Sequence, residues 1–418
     1  MELSMAKKKI LILSDHALST SGVGTQTRHL VMGLLQKDEW TVRQFGAALK
    51  HTDYRTVVVN DDFVIKPIDG FGDRDLLRVT LATEKPDILF IFTDPRFFIW
   101  LFEMEDEVHQ VCPIVWWHVW DNYPYPKFND SLYQSTDAIN CHSYLTYNMV
   151  KEHFPEKTKF IPHTIPNEIF FPISYKDRRT LKCQILGDDR KDHFVGIWVN
   201  RNAKRKRPND VLLAWKLFLD KLENETGSRN ATLIMHTDPF DHEGPNLVCT
   251  AEMLEIHNNI FFSKDRLEFD KMNCLYNISD FSMNISYAEG FGLPTLEAMM
   301  TGTPMVAAKT GGLTRQVVDH RDGSENGVAL DIDCKTLVGS QQVPYIYEDY
   351  VTPENIAEGI YKLYSMPASE KMKLKDKVLE YANSEFSHDK TVDMWHESLK
   401  DVYENWRERY ERWEHVVY

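Results

Sequence analysis

The 418-residue sequence predicts an α/β protein in which two parallel-sheet halves follow one another along the chain. Three observations predict it. Short apolar runs alternate with segments of helical periodicity. The alternation breaks at a charged, proline-containing stretch and then restarts. The composition, 43% apolar and 27% charged, supplies enough hydrophobic residues for two cores and excludes disorder as the main state. No period of roughly 20 to 50 residues recurs, which excludes a repeat array.

In the first half, the apolar run Ile10–Leu13 leads into the loop SDHALSTSGVG. A segment Thr25–Gln36 follows, with Leu30, Val31, Leu34 and Leu35 at helical spacing, so the stretch reads as strand, glycine loop, helix. Strand-like runs return at Asp87–Phe92, Pro113–Trp117 and Asp137–Asn140. Residues 165–193 carry two prolines, an Asp-Asp pair and mixed charge, and they mark the expected boundary. Beyond it the strand runs are Phe194–Val199, Thr232–Met235, Ile260–Phe262, Phe281–Ile285 and Met305–Ala308. From Glu354 the chain is helix-rich, with Trp395, Leu399, Val402 and Trp406 on one helical face, and this tail is expected to pack back on the first half. The expected domains are 5–190, 191–380 and a C-terminal helical segment 381–418.

The net charge of −15 gives no global basic field for nucleic acid. Cys112, Cys141, Cys183, Cys249, Cys274 and Cys334 are scattered without a C-x-x-C pair, as expected of reduced thiols and not of a zinc site. No apolar run approaches the roughly 18 residues of a membrane span, and the N-terminal apolar stretch is too short for a signal peptide; the expected location is cytoplasmic. Asp331 and Asp333 read as a turn, so no metal site is expected.

The most informative stretch runs from Ile285 to Leu313 and contains EGFGLPTLE, in which Glu289 and Glu297 flank a glycine loop and Pro294. Proline is suited to the first helical position, where its missing N–H costs nothing. The amides of the Gly290–Leu293 turn and the helix start then form an anion site. A carboxylate accepts from two hydroxyls at once, which suits a ribose, and a second carboxylate suits a sugar. Diphosphate between two hydroxyl-rich groups is the outline of a nucleotide sugar.

With A-x-x-x-G-x-P following it, this motif resembles the retaining family 4 glycosyltransferases of GT-B fold. The resemblance implies two Rossmann-like domains facing a central cleft, with C-terminal helices crossing back to the first. It implies that Glu289 contacts the donor sugar, that Glu297 contacts the ribose, and that Gly290, Phe291, Gly292 and Leu293 support the donor. In the segment WVNRNAKRKRPND, Arg201 and Lys206 match the family's spacing of diphosphate-binding cations, while the choice within Lys204, Arg205, Lys206 and Arg207 stays open. Gly22 and Gly24 are expected on the donor-phosphate side. They do not complete a dinucleotide fingerprint, because Thr27 stands where a third glycine would.

His118, at the end of a buried strand, is expected near the donor sugar by the same resemblance; His236, at another strand end in the second half, is expected near the nucleotide from that position. Trp120, Asp121 and Tyr123, in WDNYPYPKFND, are acceptor-side candidates. The expected reaction is retaining transfer from a UDP-, GDP- or ADP-sugar, without a metal or other cofactor. TDPRFF, WDNYPYPKFN and HTDP also resemble glycosyltransferases of tailed phages. The acceptor is therefore a glycan, a lipid or a hydroxymethylated DNA base, the last requiring Lys7, Lys8, Lys9, Lys50, Arg55 and Lys127 to gather into one patch. Two alternatives remain: a nucleotide-sugar epimerase or hydrolase of the same fold, and a non-catalytic sugar-binding module.

Overall fold

The computed structural model describes residues 6–409. They form two compact units: the first runs to Trp120, resumes at Pro124–Thr164 and takes up the chain again from His388, and the second holds Asp121–Tyr123 and Ile165–Ser387. The change of unit at Thr164 comes before the boundary expected near residue 190. The segment that marked the expected boundary is part of the second unit, where Phe171 N donates to Asn273 Oδ1 (3.1 Å), Ile173 N to Asn277 Oδ1 (2.9 Å) and Arg178 Nη2 to Asp280 Oδ1 (2.7 Å). Of its charges Arg178 and Lys182 are drawn to Asp280, whereas Lys176, Asp177, Arg179, Asp188, Asp189 and Asp192 are exposed. At the other end, the returning helix is His388–Arg409, so the segment 381–387 stays with the second unit.

Among the described residues the first unit holds an eight-stranded sheet. Its strands are β1 Lys8–Asp15, β2 Trp40–Ala47, β3 Val57–Asn60, β4 Phe63–Pro67, β5 Ile88–Phe92, β6 Ile114–His118, β7 Ala138–Cys141 and β8 Thr158–Phe160, in the order β3-β4-β2-β1-β5-β6-β7-β8. Only β3 runs antiparallel to its neighbour. Side-chain alternation along β1 sets the two faces: Leu11 and Leu13 enter one core, Ile10 and Ile12 the other. The helix Gly22–Leu35 starts at the end of β1, where the strand order reverses, and Ser21 Oγ caps it by accepting from Gly24 N (3.0 Å).

The second sheet comprises β9 Phe194–Val199, β10 Ala231–His236, β11 Ile260–Ser263, β12 Phe281–Asn284, β13 Met305–Ala308 and β14 Gly327–Leu330, all parallel, in the order β11-β10-β9-β12-β13-β14. Its order reverses between β9 and β12. The helix Pro208–Thr226 covers one face with Val211, Leu212, Trp215, Phe218, Leu219 and Leu222, and ends at Gly227, whose φ of +74° suits a glycine stop. An antiparallel hairpin, β15 Cys334–Val338 and β16 Ile346–Tyr350, was not anticipated, because the exposed CKTLV carries no apolar alternation.

The tail packs on the first unit as its periodicity implied: Trp395, Leu399, Val402 and Trp406 join Ile10, Leu30, Val31 and Trp40 in one core. Trp40 Nε1 donates to His396 Nδ1 (2.9 Å), and at Gly33 an added Cβ would collide with Val392. Trp395 is fully buried. Trp395→Ala should therefore cost about 3–5 kcal/mol of stability, read as a lower denaturant midpoint; an unchanged midpoint would show that the tail is not part of this core.

Candidate active site

The carboxyl ends of β9 and β12 lie side by side where the second sheet reverses, and ligands of open parallel sheets bind at such a point. Two loops leave it. The first, after β9, carries Arg201 to Arg207. The second, after β12, carries Ile285 to Gly292 and enters the helix Leu293–Met300, with Pro294 in its first turn and Gly292 as N-cap at φ +90°. A side chain at Gly292 would be strained by that φ and would meet Leu313. The turn at Gly311 and Gly312 backs this loop, with Gly312 N donating to Glu289 O (2.8 Å). Packing therefore fixes the backbone of Glu289 from behind.

The two loops meet through Lys206 and Glu289, whose Nζ and Oε2 form a buried ion pair with side chains 8% and 11% exposed. Ser286 Oγ lies 3.2 Å from Glu289 Oε2 and 2.8 Å from Asn284 Oδ1, which share its one hydroxyl proton. Burial opposes ionisation of Glu289, but the Lys206 and Arg205 charges and the bonds from Lys206 and Ser286 outweigh it. They hold the carboxyl below its ordinary value. Burial pulls Lys206 down from the ordinary lysine value, with Glu289 opposing. The family resemblance implies a role for both residues but not their contact, and nothing in the sequence singles out Ser286.

The run Lys204–Arg207 divides by environment. Lys204 and Arg205 are exposed, Lys206 and Arg207 buried. Arg205 Nη1 lies 4.0 Å from Asp121 Oδ2, which brings that acceptor-side candidate beside the pair within the second unit. Arg201 is half-exposed and engaged by Asp241 (2.7 Å) and Glu243 (2.9 Å), two acidic residues the sequence reading did not weigh. His236 ends β10, opposite Val199; its Nδ1 is 2.9 Å from Ser263 Oγ, and burial pushes its pKa down, leaving a neutral ring. Glu297 lies one turn into the helix and accepts from Tyr276 OH (2.6 Å). Burial pushes its pKa up to about 7.

Tyr123 belongs to the second unit, where its carbonyl accepts from Tyr347 N (2.8 Å), and its ring is 46% exposed. Trp120 belongs to the first unit and is buried, with Nε1 donating to Pro124 O (3.0 Å). His118 is likewise in the first unit and fully buried: its Nε2 lies 2.7 Å from Tyr133 OH, and burial pushes its pKa down to about 3. Gly22 and Gly24 open the helix after β1, and at Gly24 an added Cβ would collide with Ser19 and the His16 carbonyl. The basic residues needed for a DNA-binding patch are largely committed. Lys7 pairs with Asp38 and Asp62 (2.6 and 2.7 Å), Lys9 with Glu84 (2.9 Å) and Arg55 with Asp53 (2.7 Å).

Among the described residues, no group of three or more His, Cys, Asp or Glu is placed to hold a metal ion, and no helix is long and apolar enough to cross a membrane. The raised Glu297 pKa generates a test. An acid protonated more readily in the folded state contributes stability that is full below its unfolded pKa near 4.5 and lost as pH rises through about 7. Glu297→Gln keeps an acceptor for Tyr276 without that ionisation, so its melting temperature relative to wild type should rise between pH 5 and pH 8. A constant difference across that range would contradict the assignment.

Residues 187–332 match the family model of glycosyl transferases group 1, and the match ends just before β15. The chain is 30% identical over 182 residues to a D-inositol 3-phosphate glycosyltransferase of Acidothermus cellulolyticus, covering 42% of this chain and 38% of that protein. It is 47% identical over 135 residues to D-inositol 3-phosphate glycosyltransferase 2 of Catenulispora acidiphila, covering 32% and 31%. The chain thus spans about a third of the length of these curated relatives. Among solved structures, Anabaena HepE in complex with UDP and glucose superposes with a TM-score of 0.68 at 17% identity, covering 94% of this chain and 100% of that one. Sucrose-phosphate synthase from Thermosynechococcus elongatus does so with 0.71 at 14%, covering 95% and 100%. The chain therefore has the GT-B fold of two Rossmann-like domains, and Lys206, His236, Glu289 and Glu297 all lie within the residues 187–332 that match the group 1 family model.

Proposed function

We propose that this protein transfers a sugar from a nucleotide sugar to an acceptor hydroxyl with retention at the anomeric carbon. The observation that carries the reading is the buried Lys206–Glu289 pair, set at the strand reversal beside a glycine-loop helix start. The group 1 match supports it, and so does the likeness to HepE, solved with UDP and glucose. The retaining course rests on the resemblance of the two-glutamate motif to family 4. A UDP-linked sugar is the donor these relations favour, with GDP- and ADP-sugars as comparison substrates.

The donor diphosphate would take the amides of Gly290, Phe291, Gly292 and Leu293 at the helix start, together with the Lys206 ammonium and, on release from Asp241, the Arg201 guanidinium. Glu289, held ionised, accepts from sugar hydroxyls and fixes the anomeric carbon; Glu297 accepts from the ribose. As the bond from that carbon to the phosphate oxygen breaks, its electron pair stays on the phosphate, where Lys206 and the helix start stabilise it. The acceptor oxygen forms its new bond on the same face, and the phosphate takes the acceptor proton. No enzymic nucleophile and no metal is required in this scheme. The neutral, buried His118 serves here to shape the first unit, and Gly24 lets the loop at His16 and Ser19 pass close to its first helix.

The acceptor we favour is a small polyol or glycan hydroxyl. The overall charge of −15 and the pairing of Lys7, Lys9 and Arg55 with carboxylates weigh against duplex DNA. The experiment is mass-spectrometric detection of nucleoside diphosphate release from a panel of UDP-, GDP- and ADP-sugars, with polyol, polyol-phosphate, glycan, lipid and hydroxymethylcytosine-DNA acceptors. Acceptor-dependent release with the sugar mass on the acceptor is expected; release or rearrangement without any acceptor would favour the hydrolase or epimerase reading, and binding without turnover a sugar-binding module. Glu289→Ala should retain UDP affinity within a few-fold and lose roughly 100-fold or more in turnover. Addition of EDTA should leave the rate unchanged, and its abolition would overturn the metal-free scheme.

A further inference from the structure

Arg207 follows Lys206, and its side chain is wholly buried. Its backbone is left-handed, with φ +56° and ψ +44°, a conformation disfavoured for any residue with a Cβ. Such a residue persists only when its surroundings hold it. Here three nitrogens of the guanidinium are engaged: Nε donates to Asp210 Oδ2 (2.9 Å), Nη1 to Ile285 O (3.3 Å) and Nη2 to Val351 O (2.6 Å). The guanidinium lies 5.1 Å from the Tyr287 ring centre and 4.2 Å from that of Tyr350. These partners come from three segments: the first turn of the helix Pro208–Thr226, the loop after β12 and the end of β16. A lysine ammonium has one nitrogen and cannot reproduce that fork.

Around this centre the loops after β9 and β12 and the strand β16 are stitched through the backbone. Tyr287 N donates to Arg205 O (3.0 Å), and Asp349 N donates to Tyr287 O (2.7 Å). Asp349 Oδ2 in turn accepts from Asn122 Nδ2 (2.7 Å), beside Asp121 and Tyr123. The loops that carry Lys206 and Glu289 are therefore joined by one guanidinium, and that guanidinium is braced by a hairpin outside the matched family segment.

We infer that Arg207 is a positioning residue: it holds the loops after β9 and β12 in register so that Lys206 and Glu289 meet, and it makes their meeting depend on the hairpin β15–β16. Its kinetic consequence rests on the transfer reading above; its structural consequence does not.

Two variants of the full chain test this. Arg207→Gly removes the guanidinium and relieves the left-handed backbone; Arg207→Lys keeps the charge and the aliphatic stem but reaches at most one carbonyl. In hydrogen–deuterium exchange, the glycine variant should lose protection together in residues 201–207, 285–292 and 346–351, with β13 unchanged. The lysine variant should show the same pattern at smaller amplitude and decides the case if the glycine variant does not fold. Loss confined to 201–207, or spread evenly over the second unit, would overturn the inference. In sugar transfer from UDP-glucose, kcat of the glycine variant should fall roughly 10- to 100-fold with the donor KM changed less than about threefold, the lysine variant lying between it and wild type. A kcat within about twofold of wild type would overturn the assignment. A wild-type protein that turns over no nucleotide sugar would sink the transfer reading, and the exchange pattern would still judge Arg207.

Discussion

The second unit is organised around one electrostatic constraint: an ammonium and a carboxylate, both nearly out of water, must find each other across two loops. A buried charge without a partner is costly, whereas a paired one is tolerable only with good geometry and further hydrogen bonds. Lys206 and Glu289 satisfy that condition through each other, through Ser286 and through the nearby Arg205. The constraint propagates outward. Gly311 must lack a side chain because the Glu289 and Asp121 carbonyls occupy that space, Gly312 because the backbone of Gly290 and Phe291 does, and Gly292 must be left-handed for the helix to start where it does.

The parallel sheet makes the meeting possible. Strands β9 and β12 are distant in sequence yet adjacent in space, and their loops leave on the same edge. The hydrophobic faces of the sheet, with Trp198, Trp215 and Phe281 on one side and Ile197, Tyr276 and Leu296 on the other, hold that edge rigid. A rigid frame lets a polar pair be pre-positioned, and pre-positioned charge is what stabilises a departing phosphate most effectively. The first unit repeats the arrangement in outline. Its order also reverses, between β1 and β5, and the capped helix Gly22–Leu35 begins there.

Much of this was legible in the sequence. Continuous apolar runs such as Phe194–Val199 marked buried parallel strands, and the spacing of Trp395, Leu399, Val402 and Trp406 marked the tail that returns to the first core. EGFGLPTLE announced the glycine turn and helix start because proline and glycine there have steric meaning. Other features left no trace. Strand β15 is exposed along nearly its whole length, so no burial imposes alternation on it, and β16 is held by backbone and ring contacts to Tyr123, Tyr287 and Arg207 that local sequence does not display. Four basic residues in a row read alike, and only tertiary contacts separate exposed Lys204 and Arg205 from buried Lys206 and Arg207. The strand end at His118 suggested a site, whereas the ring is enclosed and turned to Tyr133. Residues 165–193 read as a domain boundary because local sequence cannot show that Arg178 reaches Asp280.

The central claim is that Lys206 and Glu289 act as one unit. A double-mutant cycle on transfer from UDP-glucose measures this most directly, using Lys206→Met, Glu289→Gln and the double variant. The account predicts strong non-additivity: each single change should cost nearly as much turnover as both together, because either one breaks the same pair. Losses that simply multiply in the double variant would mean that the two groups work independently, and would contradict the account.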